Sequence, residues 1–293
     1  MKIRSLFISL LVVSAGCSEK AGQPDAYGNF EATEVTVSAE TGGRIIRLAP
    51  EEGTLVEKGA EIALIDTTLL NLQKNEIEAA LRSAGTRIRS INAQNDILVQ
   101  QIDNLNINIS RFGKMLKDSA ATQKQYDDLA GQAAVFEKQI AANNTQKATV
   151  NDDLEMYRSK IATINEQISR CHVKSPLNGT VIEKYSEPGE LTAAGKPLVK
   201  VADLSEIKLK AYVSGAQLGK VKIGQECTVR IDDGKKGYRT FPGTVSYVSE
   251  KAEFTPKIIQ TKEERVILVY AVTILVKNDG TIKSGMPGEA LFQ

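Results

Sequence analysis

Tryptophan is absent from this sequence, and aromatic residues make up only 5% of its 293 positions. There is one histidine, His172, and there are three cysteines, at 17, 171 and 227. These are too few for a histidine-rich or cysteine-rich metal site on familiar spacings, and a lone histidine beside a cysteine is ordinary structure. No apolar run approaches the roughly 20 residues of a membrane-spanning helix. Charge of one sign is lacking too. The 37 Lys and Arg face 36 Asp and Glu, so no whole-chain basic field exists to hold nucleic-acid phosphates, and nucleic acid is not expected as a partner. The nearest approach to a phosphate loop, Gly215-Ala216-Gln217-Leu218-Gly219-Lys220-Val221, has one residue too few between its glycines. It also has Val where Ser or Thr would hold magnesium. No serine-centred nucleophile elbow occurs, and a single histidine is a poor basis for His-dependent catalysis. The residues therefore point to no enzyme and no cofactor.

What is present is enough for a folded protein: 42% hydrophobic and 25% charged residues, with 22 Gly and 8 Pro. Length alone suggests about two domains, unless part of the chain is an extended element without a globular core. The first residues, Met1 to Cys17, read as a secretory signal: Lys2 and Arg4, an apolar run from Leu6 to Val13, then small residues. Ser14-Ala15-Gly16-Cys17 resembles the lipobox of bacterial lipoproteins, in which the cysteine is lipidated and becomes the mature N-terminus. Lipidation of Cys17 would anchor the protein, since acyl chains contribute about 0.8 kcal/mol per buried methylene. The other reading is cleavage at a nearby small residue and a soluble secreted protein.

Val37 to Ile65 matches Val173 to Val201 without a gap at an offset of 136, with seven of 29 positions identical. The identities are Val37, Gly43, Ile46, Glu51, Gly53, Leu55 and Gly59 with Val173, Gly179, Ile182, Glu187, Gly189, Leu191 and Gly195. Short apolar strands surround them, such as Arg44 to Leu48, Glu61 to Ile65, Thr180 to Ile182 and Pro197 to Val201. The segments read as duplicated halves of one β-sandwich. Their pattern is similar to the half-motif of biotinyl and lipoyl carrier domains. Those carriers present a modified lysine on a hairpin, whereas here Asp66-Thr67-Thr68 follows without a lysine, and about 100 residues separate the halves.

The insertion from Thr67 to Cys171 has no proline and three glycines, which suits continuous helix. Apolar positions alternate at spacings of four and three from Ile77, Leu81, Ala84 and Ile88 through Phe112 and Leu116. They resume from Tyr126, Leu129, Ala133 and Phe136 through Ile168 and Cys171. An unbroken heptad of this kind predicts an antiparallel coiled-coil hairpin. Folding about Lys117 to Thr122 brings Asn95 opposite Lys147, a polar pair that disfavours slipped registers. A 48-residue arm from Leu69 to Leu116 would be roughly 70 Å long. Cys171 holds a heptad position, so Cys171 and Cys227 are expected as two buried free thiols, although an oxidising compartment would permit pairing.

The segment from Arg111 to Asp127 resembles the hairpin tip of the periplasmic adaptor, or membrane fusion protein, family of bacterial efflux systems. There Arg, Leu and Ser dock onto a TolC-like outer-membrane channel. The corresponding positions are Arg111, Met115 and Thr122, with an apolar knob and a hydroxyl retained. Beyond the second half-motif, strands at Leu204 to Val213, Gln225 to Ile231, Gly243 to Val248 and Val266 to Val276 suggest a small β-barrel. The stretch holding Phe254, Thr255, Pro256, Lys257, Glu264 and Arg265 resembles the C-terminal part of HlyD-like adaptors paired with ABC transporters. An ordinary barrel loop held by exposed ion pairs is the other reading of it. Scattered Met115, Met156 and Met286 argue against a methionine-based metal-efflux adaptor.

The expected fold is mixed α and β: a coiled-coil hairpin inserted into a split lipoyl-like sandwich, then a barrel and a C-terminal β-rich membrane-proximal region. The expected domains are a signal at 1–17, a linker and membrane-proximal strand at 18–34, and a split sandwich at 35–66 plus 172–203. The hairpin covers 67–171, the barrel 204–250, and the end of the barrel with the membrane-proximal region 251–293. The resemblance implies a lipid-anchored periplasmic adaptor, a homo-oligomer and commonly a hexamer. It would link an inner-membrane transporter, an ABC-type permease with its ATPase, to a TolC-like channel. A structural coiled-coil envelope lipoprotein and a lipoyl or biotinyl carrier are the alternatives.

Overall fold

The computed structural model describes residues 24–234, 237–254 and 268–292. Its elements are, in chain order, β1 (Ala26–Ser38), β2 (Gly43–Leu48), β3 (Leu55–Val56), β4 (Glu61–Ile65), α1 (Thr68–Lys117), α2 (Gln123–Cys171), β5 (His172–Lys174) and β6 (Gly179–Lys184). They continue with β7 (Leu191–Thr192), β8 (Pro197–Ser214), α3 (Gly215–Leu218), β9 (Glu226–Asp232), β10 (Tyr238–Phe254), β11 (Leu268–Lys277) and β12 (Pro287–Phe292). Two units result: Glu34–Ala202, and the described residues on either side of it.

In the first unit the sequence repeat becomes a repeated hydrogen-bond pattern. Ala39 N–H donates to the Lys196 carbonyl and Gly195 N–H to the Ala39 carbonyl, at 2.9 and 2.8 Å. At the positions 136 residues away, Ser175 N–H donates to Ala60 and Gly59 N–H to Ser175, at the same two distances. Strand pairs repeat likewise: Val56 of β3 faces Gly179 of β6, and Gly43 of β2 faces Thr192 of β7. One sheet runs β5-β4-β2-β7, and the other runs β8-β6-β3 within this unit. The core is duplicated as well, with Ile45, Ile62 and Ile65 buried beside Val181, Leu198 and Val201, their counterparts in the second half. Inward β-branched residues at a period of two favour strands, and their burial holds the two sheets together.

Between the halves stand α1 and α2, 50 and 49 residues long, each about 75 Å at 1.5 Å per residue. The seam is the one the heptads predict: Ala84, Ile91 and Val150 are buried, with Ile88, Leu154 and Tyr157 packed on them. At the base, Cys171 is buried in the sandwich core and Leu70 packs against it. The seam asparagine departs from expectation. Asn95 bonds Asn143 and Asn144, at 2.8 and 3.0 Å, in place of the expected Lys147. An amide offers both a donor and an acceptor to another amide, whereas an ammonium only donates.

The turn is closed by backbone bonds. Ala120 N–H donates to Met115 and Ser119 N–H to Leu116, at 2.7 and 3.1 Å, the pattern of a Schellman cap. Ser119 holds the left-handed position of that cap with φ of 58°, the one positive-φ non-glycine among the described residues. A side chain there costs about 1 kcal/mol. Ser119→Gly is therefore expected to raise the thermal unfolding midpoint of the hairpin, read by circular dichroism. An unchanged or lowered midpoint would remove the strain assigned to Ser119.

In the second unit the strands run β1-β12-β9-β10-β11-β8, and a β1–β8 pairing closes the ring. Alternation along β8 places Ile207, Leu209, Ala211 and Val213 inside, against Phe30, Val229, Val272 and Ile274. Closure depends on Gly28, where a Cβ would lie 1.9 Å from the Lys210 carbonyl oxygen. The strand expected at Val266 to Val276 is β11 of the barrel, and two segments assigned to the membrane-proximal region, Ala26–Asn29 of β1 and Pro287–Phe292, pair into the same sheet. Their alternating apolar residues, among them Val272, Ile274, Val276 and Ala290, fill the same core, so β11 and β12 form barrel wall. Gly28→Ala should destabilise this unit by about 1–3 kcal/mol through the forced separation of β1 and β8. A chemical denaturation midpoint equal to that of the parent chain would contradict the close approach.

Candidate functional site

The end of the hairpin gathers the residues that the sequence assigns to docking. Arg111 is exposed on α1, and among the described residues no ion pair engages it. Met115 lies one helical turn further and is 36% exposed. Thr122 is the N-cap of α2. Its hydroxyl accepts from Gln125 N–H at 3.4 Å and donates to Gln125 Oε1 at 3.0 Å, and that oxygen also accepts Thr122 N–H. This is a capping box, so the threonine hydroxyl already serves the helix start. The cap signal, Thr followed three residues later by Gln, was legible in the sequence and unused there. Lys114 and Lys117 complement the partial negative charge at the end of α1. A convex helical turn does not enclose a small substrate. It leaves the cationic Arg111 and the apolar Met115 exposed at the surface.

Other polar clusters are structural. Where α2 enters β5, Glu61 Oε2 lies 2.7 Å from His172 Nδ1, and Glu61 also pairs with Arg47. The hydrogen bond from His172, then the charge of Arg47, hold the Glu61 carboxyl below its usual value against the opposing effect of burial. Lys184 Nζ lies between Glu51 and Glu187, at 2.9 and 2.8 Å. Those glutamates are equivalent positions of the repeat, and with Glu187 contributing most they hold the lysine ammonium above its ordinary range. Sequence reasoning missed this bridge because Lys184 has Leu48 as its counterpart. Cys171 and Cys227 are buried free thiols, and burial pushes Cys227 up to about 11, which makes it inert as a nucleophile. Among the described residues no group of three or more His, Cys, Asp and Glu is placed to hold a metal ion. The depressions on the hairpin are open grooves, one of them lined by Gln94, Ile97, Leu98, Gln139, Ala142 and Asn143.

Cys17, Thr255, Pro256, Lys257, Glu264 and Arg265 lie outside the described residues. Phe254 is the last residue of β10, with its backbone facing Leu268.

A family model of the CzcB-like barrel-sandwich hybrid domain matches residues 33–203, more than half of the chain. The chain belongs to this family. The membrane fusion, or periplasmic adaptor, resemblance read from the sequence is borne out with it. A UPF0194 membrane protein of Yersinia enterocolitica is 25% identical over 312 residues, covering 97% of this chain and 94% of its own. A UPF0194 membrane protein of Citrobacter koseri is 25% identical over 302 residues, covering 91% and 87%. Among solved structures, MacA from Actinobacillus actinomycetemcomitans superposes with a TM-score of 0.63 at 22% identity, over 90% of this chain and 76% of that one. The membrane fusion protein Spr0693 from Streptococcus pneumoniae gives 0.53 at 18% identity, over 91% and 97%. These two likenesses establish the shared fold. No helix among the described residues is long and apolar enough to cross a membrane.

Glu61 makes acid stability testable. A carboxylate whose folded pKa is depressed stabilises the fold above the ordinary value of 4.5, and that contribution is lost as pH falls through the lower folded value. Glu61→Gln should therefore lower the unfolding midpoint at neutral pH and narrow the difference between neutral and strongly acid midpoints. An equal acid-induced drop in both proteins would show that Glu61 carries none of it.

Proposed function

We propose that this protein is a non-enzymatic periplasmic adaptor that links an inner-membrane transporter to a TolC-like outer-membrane channel for efflux or secretion. The single observation that carries it is the seam-locked hairpin set between the halves of a duplicated sandwich, which holds an uncommitted Arg111 and exposed Met115 at its tip. A cap and a closed turn fix the tip, so a partner meets a preorganised surface. Arg111 supplies charge, Met115 the apolar knob, and Thr122 holds the first turn of α2 in place.

The transporter is of the ABC type in this proposal, and Phe254, Thr255, Pro256, Lys257, Glu264 and Arg265 face it. Energy conversion belongs to that permease and ATPase. Cys17 carries the lipid that anchors the chain to the inner membrane on the periplasmic side, after removal of the signal at 1–17. Copies assemble as a homo-oligomer, a hexamer, and the domain limits drawn from the sequence describe each copy. The carrier alternative loses ground at Asp66, whose carboxylate accepts Thr68 N–H at 2.8 Å and leads straight into α1, where a carrier would display a lysine.

Arg111→Glu is expected to abolish co-purification of the outer-membrane channel while the transporter still co-purifies. Removal of residues 100–140 is expected to abolish both assembly and export. Intact assembly and export after that deletion would overturn the adaptor proposal and favour a structural envelope lipoprotein. Cys17→Ala should abolish incorporation of a labelled fatty acid into the chain, and undiminished labelling would exclude lipid anchoring at Cys17.

A further inference from the structure

Seven residues are identical between the halves of the sandwich, and six of the pairs have a place within the fold. Val37 and Val173 are core residues, 6% and 4% exposed. Gly43 and Gly179 stand where a Cβ would crowd Ile65 and Ala202 respectively. Gly53, Gly59, Gly189 and Gly195 adopt φ between 85° and 92°, in turns that favour glycine. Glu51 and Glu187 share Lys184. Ile46 and Ile182 occupy matching bulges in β2 and β6.

The seventh pair has no such place. Leu55 and Leu191 are 81% and 74% exposed, the highest values among the exposed large apolar residues of the described chain. Each opens a two-residue strand, β3 or β7, and each of these strands is the last in its sheet. The protein thus displays the same apolar side chain at two equivalent sheet edges of one sandwich. A two-residue edge offers little backbone for another strand to pair with, so what each edge presents is its exposed leucine side chain.

We propose that Leu55 of one copy packs against Leu191 of the next, head to tail, and that this contact joins the sandwiches of successive copies. A partner met at one place needs one patch. Two equivalent patches on different sheets give each chain a valence of two, and a repeated heterologous contact closes into a ring when its rotation permits. Because the patches are equivalent, each contact sets like against like, with apolar surface removed from water on both sides. A second copy of this chain is the occupant that needs both edges at once. This rests on the homo-oligomeric adaptor proposed above and assigns the contact that builds it.

The test uses the full-length protein in its native membrane, carrying Leu55→Cys and Leu191→Cys together and treated with a short bis-maleimide. A ladder of covalent multimers is expected from the double variant, and no ladder from either single variant or from the parent chain, whose Cys171 and Cys227 are buried and whose Cys17 thiol is occupied by the lipid in the adaptor proposal. In parallel, Leu55→Asp and Leu191→Asp, at sites exposed enough to leave folding intact, should each shift the detergent-extracted protein from multimer to monomer by native mass measurement. Cross-linked dimers from a single cysteine variant would replace the head-to-tail contact with a symmetric one and overturn the inference. So would a double variant without cross-links, or aspartate variants that remain multimeric. If the parent chain stays multimeric and supports export in that case, the contact alone falls. A monomeric parent chain that co-purifies neither transporter nor channel would bring down the contact and the adaptor proposal together.

Discussion

Everything in the first unit depends on closing a sandwich whose halves lie more than 100 residues apart in sequence. Closure is made by backbone hydrogen bonds that occur twice, Ala39 with Lys196 and Gly195 on one side, Ser175 with Ala60 and Gly59 on the other. Neither half could bury its apolar face alone, because Ile45, Ile62 and Ile65 find their cover in Val181, Leu198 and Val201. The hairpin makes such closure inexpensive in entropy. Helices of nearly equal length, 50 and 49 residues, bring the chain back to where it left, so the halves meet without ordering a long flexible loop.

The hairpin in turn relies on its seam for register and on its turn for direction. Buried Ala84, Ile91 and Val150 favour association, while the Asn95 amide pairs select one alignment. Around the turn, the Schellman bonds and the Thr122–Gln125 box satisfy backbone groups that the helix ends leave open. The tip surface is consequently a product of two helix terminations, which engage the exposed Thr122 and Gln125 and leave the side chains of Arg111 and Met115 without such a role. In the second unit, packing of β1 against β8 at Gly28 has the corresponding role, since it converts a row of strands into a ring.

Legibility in the sequence followed periodicity. The seam was readable because a coiled coil needs only local spacing, and every residue from Ile77 to Leu116 reports its face by position. The sandwich was readable because it is written twice. Partners of polar side chains were less so: Asn95 found Asn143 and Asn144, one turn from the position expected by counting, and Lys184 reached glutamates from both halves. Long flexible side chains reach several residues along a helix or across a sheet, so counting does not choose between their partners. The placement of Thr122 illustrates the same limit at the candidate site, where a hydroxyl read as a docking group is engaged in the cap of its own helix.

The sequence by itself determined the order of the elements, the length of the hairpin, the buried face of each helix and the pairing of the two half-motifs. Those properties follow from apolar period, from the absence of proline and from self-similarity, none of which requires knowledge of distant contacts. Tertiary structure alone decided that β1 and β12 are walls of one barrel and that Glu51 and Glu187 converge on Lys184. It also decided that, of the apolar side chains identical in the two halves, Leu55 and Leu191 are the pair with both members exposed. Burial and convergence are properties of surfaces brought together from remote parts of the chain, and no local pattern encodes which apolar residue is left outside.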